Sequence, residues 1–135
     1  MAEEWFADVD LSRASTAGRR AAELVQELLD TWQPTRVDPS RSRIWVDQNH
    51  TFIAVAHGHL RRADLHLVVH DSGWAQLYGP HGYTEVRGSG RGQAEWVDEL
   101  TKSVTALLTG HHTTLSHGAS DRHASVDYGC RLSRP

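Results

Sequence analysis

Apolar positions along this chain change period twice. From Ala17 to Trp32 they recur three and four apart, so Ala21, Leu24, Val25, Leu28, Leu29 and Trp32 share one helical face. Arg19, Arg20, Glu23, Gln26, Glu27 and Asp30 fill most of the other face. Ser12, Ser15 and Thr16 are all suited to cap such a helix, and Pro34 stops it. The stretch QPTRVDPSRS then shows no period and reads as a linker.

Past it the period drops to two. Arg43–Asp47, residues 51–57, Leu65–His70 and Trp74–Tyr78 read as strands, joined through turns at Asp47–His50, Arg61–Asp64 and Asp71–Gly73. Gly79–Gly82 breaks the fourth, and Tyr83–Arg87 either continues it or forms a fifth. After the glycines at 88, 90 and 92 the helical period returns, with Trp96, Val97, Leu100, Val104, Leu107 and Leu108 on one face and Gly110 as a C-terminal stop.

The order helix, meander, helix predicts an α+β two-layer sandwich. Its four- or five-stranded antiparallel sheet carries the N-terminal and the C-terminal helix on one face. Residues 1–110 form a single domain, and 111–135 read as a C-terminal tail or an added edge strand built on Leu115, Val126, Tyr128 and Leu132. At the other end, Trp5, Phe6, Val9 and Leu11 suit either a frayed arm that docks its aromatics or a first helical turn.

Alternation divides the strand residues between two faces. Ile44, Val46, Ile53, Val55, Leu65, Leu67, Val69, Ala75 and Leu77 make an aliphatic face for the helices. The opposite face receives Trp45, Phe52, Ala54, Ala56, His66, Val68, His70, Trp74, Gln76 and Tyr78. A solvated sheet face is ordinarily polar, and this one is rich in aromatics. Two arrangements account for it: a surface that binds a partner, or a face buried by the Trp5–Phe6 arm or the C-terminal tail. The assignment rests on register, because a slip of one residue exchanges the faces.

Composition narrows the chemistry. Apolar residues make up 39% and charged residues 23% of 135, which suits a soluble globular domain. The net charge of -3 gives no general attraction to nucleic acid or anionic membrane. All basic residues but Lys102 are arginine, as a coding bias would produce. Cys130 is the only cysteine, which excludes an internal disulfide and a cysteine-rich zinc site. The start MAEEWFADVD has no basic segment followed by an apolar one, so no signal peptide is predicted, and the cytoplasm is the expected compartment. No apolar run is long enough to cross a bilayer.

Ten histidines are the strongest compositional feature. His57 and His59 share a face if the second strand runs that far. His66 and His70 share another but stand about 13 Å apart by strand rise, too far to bind one metal together. A metal site would combine His57 and His59 with His66, His70 or Asp71. The glycines before the second helix lack the lysine and spacing of a phosphate-binding loop. No catalytic or cofactor motif is present, and no cofactor is expected.

The reading is therefore a non-catalytic protein-binding module, acting through Trp45, Phe52, His66, His70, Trp74 and Tyr78. It would serve as a homodimer, an adaptor or an inhibitor. In order of elements the chain is similar to some bacterial toxin-immunity proteins, a likeness of outline without a shared motif, which implies an inhibitor-type partner. The alternative is a histidine-based metal-dependent hydrolase or metal-binding protein. An open aromatic sheet also resembles the stacking platform of RNA-binding modules, which net acidity and the lack of their motifs disfavour.

Overall fold

A computed structural model of the chain describes residues 5–6, 9–58, 64–79, 82–87, 93–109 and 130. The elements are α1 (Thr16–Trp32), β1 (Arg43–Asp47), β2 (His50–Val55), β3 (Leu65–His70), β4 (Trp74–Gly79), β5 (Gly82–Arg87) and α2 (Gln93–Thr109). The strands form one antiparallel sheet in the order β1-β2-β3-β4-β5. This is the expected α+β architecture, with residues 82–87 forming a true fifth strand. The predicted tail from His111 on, the turn residues 61–63, the glycine segment 88–92 and His59 lie outside the described residues.

Helix α1 begins at Ser15, whose hydroxyl accepts from the Gly18 N–H at 3.0 Å and satisfies a donor the helix leaves free. It ends at Gln33, which turns left-handed at φ 46° and donates its N–H to Leu29. The apolar stripe of α1 faces β2 and β3, and that of α2 faces β4 and β5. Leu29, Ile44, Ile53, Leu77, Leu100 and Leu108 are fully buried between the layers. The seam bounded by Val25, Ile53, Val55, Leu65, Leu67, Leu77 and Val104 is lined by apolar groups alone.

At one point the layers approach more closely than side chains normally allow. A Cβ on Gly18 would lie 2.1 Å from the Thr51 hydroxyl oxygen, so only glycine fits there. On the far side, the buried Trp96 indole donates to the Val86 carbonyl at 3.2 Å and ties α2 to β5.

Of the two expectations for the N-terminal arm one holds, and two other local expectations need correction. The arm at Trp5 and Phe6 docks its aromatics and is not a helical turn. Both rings are buried in the helix-side core, and the Trp5 indole donates to Asp30 at 2.7 Å. Val9 bridges Ile44 in parallel at the β1 edge. These aromatics therefore do not cover the other face of the sheet.

The segment after α1 is more than a linker. Val37 is buried and bridges His57, and Asp38 donates its N–H to Ala56 while its carboxylate takes Ser40 and Arg41. Strand β2 starts at His50 and stops at Val55, two residues short of the predicted end, because Ala56 and His57 pair with this segment instead. The β1–β2 turn is correspondingly tighter, with Asp47 opposite His50 and Gln48 at φ 56°.

Candidate functional site

The register sets the face opposite the helices into three rows. The first runs Arg43–Ala54–His66–Tyr78–Tyr83, the second Trp45–Phe52–Val68–Gln76–Glu85, and the third Asp47–His50–His70–Trp74–Arg87. Alternation alone produces this: each row takes one residue from every strand, two positions along from the row before. All six residues expected to bind a partner lie here. Trp45 neighbours Phe52, His66 neighbours Tyr78, and His70 neighbours Trp74.

The face is open at three of its aromatics. Trp45, Tyr78 and Tyr83 are 37%, 40% and 36% exposed, against 1% for Ile53 on the inner face. Phe52, Val68, His70 and Trp74 are half-buried by one another.

The rings stand on edge, packed side against side. Trp45 stacks on Phe52 at 5.1 Å with planes 10° apart, and the Arg43 guanidinium lies 5.7 Å from its centre. Trp74 stacks on His70 at 3.9 Å with planes 3° apart, while Arg87 covers it at 4.4 Å. His70 comes from β3 and Arg87 from β5, which flank β4, so they occupy opposite faces of the indole. His50 meets His70 edge-on at 4.3 Å, and Tyr78 meets Tyr83 at 5.1 Å.

Polar tips are linked as well. His70 Nε2 lies 2.8 Å from the Gln76 side-chain oxygen, and Gln76 donates its amide to the Tyr83 hydroxyl at 3.1 Å. Tyr83 donates to Glu85, which also holds Arg87 at 2.6 Å. The Tyr83 hydrogen bond, with Arg87 beside it, holds the Glu85 carboxyl below its ordinary value. The same bond to Glu85 raises the Tyr83 phenol above its own.

Of the proposed metal ligands, the described ones, His57, His66, His70 and Asp71, are not gathered at one point. His57 is buried beyond the end of β2, where its N–H donates to Asp64 at 3.1 Å and its carbonyl accepts from Arg41. His66 and His70 face out from β3 two rows apart, and Asp71 is exposed in the turn after His70. Among the described residues, no three of His, Cys, Asp and Glu stand where they could share an ion.

Several members of the face escaped the sequence reading. Tyr83, Glu85 and Arg87 arrive with β5, and their alternation with Thr84 and Val86 is the signal that could have found them. His50 was assigned to a turn, although its pairing with Asp47 and His70 places it on the face.

Fold and face together define a two-layer α+β protein with one sheet surface clad by helices and, among the described residues, no helix or strand packed on the other. No family model, curated protein or solved structure matches the chain. Among the described residues, no helix is long and apolar enough to cross a membrane.

Proposed function

We propose that this protein is a non-catalytic protein-binding module whose bare sheet face docks a protein partner. The observation that carries the reading is exposure of Trp45, Tyr78 and Tyr83 on a face framed by Arg43, Asp47, Glu85 and Arg87. Exposed aromatic groups alongside charges confined to the two edge strands is a composition that suits a protein interface.

Ring orientation favours a protein over a nucleic acid. Bases stack on aromatic faces that are free to receive them. Here the indoles of Trp45 and Trp74 are already covered by Phe52, Arg43, His70 and Arg87. What remains for a partner is ring edges, indole N–H and phenol groups, on a surface already organised before docking. Rigid aromatic anchors of that kind bind with little loss of side-chain freedom.

Site-directed photocrosslinking tests this directly. A benzophenone amino acid is placed at position 78, and at the solvent-facing position 27 of α1 as control. Position 78 should give a discrete protein adduct that position 27 does not, and Trp45→Ala with Trp74→Ala should abolish it. No adduct at 78, or one that survives both substitutions, would contradict the reading.

A further inference from the structure

We infer that the partner docked on this face is a second copy of the chain, packed face to face across a two-fold axis running along β3. The inference rests on the protein-binding reading and names its occupant from the charge pattern of the face itself.

Charges on the face lie on the two edge strands. β1 presents Arg43 and Asp47, and β5 presents Glu85 and Arg87. The three strands between them carry no Asp, Glu, Lys or Arg on this side, only Phe52, Val68, Trp74, Tyr78, Gln76, Ala54 and histidines. A pair of identical surfaces meets isologously, each patch touching what its symmetry mate offers. An axis along the central strand lays β1 of one copy over β5 of the other.

Asp47 and Arg87 occupy the same row, so that operation sets each carboxylate against the other copy's guanidinium, twice per dimer. Arg43 of one copy comes within one row of Glu85 of the other. Both charged positions of one edge thus find the opposite sign on the other edge, which is the arrangement self-association requires. Val68, at the middle of the middle row, meets its own copy at the axis.

Five strands at about 4.8 Å and three rows at about 6.8 Å span roughly 24 by 20 Å, a flat footprint of about 480 Å² to which the relief of the side chains adds. A standard interface takes about 800 Å² from each partner, a tenth of the 7994 Å² this chain exposes. Twisted sheets pack face to face with strands near 30° apart, which spreads the charged edges over neighbouring rows without separating them.

The test is charge exchange, read by light scattering over a concentration series of the full chain. Wild type should rise from 15.1 kDa towards twice that mass. Asp47→Arg and Arg87→Asp each place like charges in contact and should weaken association about tenfold or more. Both sites are exposed, so the fold should survive, as circular dichroism would verify. Mixing the two variants pairs opposite signs again at both contacts, and the mixture should recover the dimer that neither forms alone. A wild type fixed at 15.1 kDa overturns the second copy as occupant and leaves the protein-binding reading to the crosslinking experiment. A dimer indifferent to both reversals and to Trp74→Ala forms through another surface and likewise overturns the second copy as occupant of this face.

Discussion

The imidazole of His70 lies flat on the indole of Trp74, 3.9 Å between centres, and Arg87 closes the far side of the same ring. Three adjacent strands thus contribute one stack that holds Trp74 upright from the sheet. The stack fixes the side chain and leaves it half-buried, and that separates its role from that of the core tryptophans Trp5 and Trp96.

Trp5 and Trp74 should respond oppositely to alanine. Trp5 is buried in the core and hydrogen-bonded to Asp30, so Trp5→Ala should cost about 3–5 kcal/mol. Trp74→Ala should cost about 1 kcal/mol or less and weaken association instead. Chemical denaturation of the two variants at equal concentration measures the contrast. Unfolding by Trp74→Ala would place that ring in the core.

Gly18→Ala should destabilise by about 1–3 kcal/mol, although alanine is ordinarily the better helix former. The added Cβ would lie 2.1 Å from the Thr51 hydroxyl. Thr51→Ala in the same chain should remove only part of that cost, since it takes away the hydroxyl but keeps a Cβ 2.9 Å from the added one, and the two sites are in contact, so their effects cannot add. A double-mutant cycle of denaturation midpoints reads the coupling.

Tyr83→Phe should move the Glu85 carboxyl up towards its ordinary 4.5, because it removes the largest cause of the depression. The sign of the pH effect follows. Glu85 is depressed in the folded chain, so its contribution is present above the unfolded value and lost as pH falls through the folded one. Tyr83 is raised, so its contribution is present below about 10 and lost as pH climbs through its folded value. Titration of the Glu85 side-chain carbonyl by NMR, with and without the substitution, checks both the direction and the partner.

Much of this was legible in the chain. The stripes of α1 and α2 and the alternation of β1 to β4 fixed the layers, because period reports which side of an element is buried. The face bearing Trp45, Trp74 and Tyr78 followed from the same alternation. What escaped depended on pairings distant in sequence. Nothing near Val37 announces that it will bridge His57 and end β2 there. Trp5 reads as part of a docking arm or of a first helical turn, with nothing to decide between them until Asp30, twenty-five residues on, accepts its N–H. The stack on Trp74 needs Arg87, which joins it only once the Gly79–Gly82 hairpin has set β5 in register.

Hydroxyl-radical footprinting of the full chain, dilute and then concentrated, tests the central claim most directly. Oxidation of Trp45, Trp74, Tyr78 and Tyr83 should fall together as concentration rises, while the solvent side of α1 stays equally reactive. Oxidation unchanged at those four rings, or protection gathered on the helices instead, would contradict docking of a second copy on this face of the sheet.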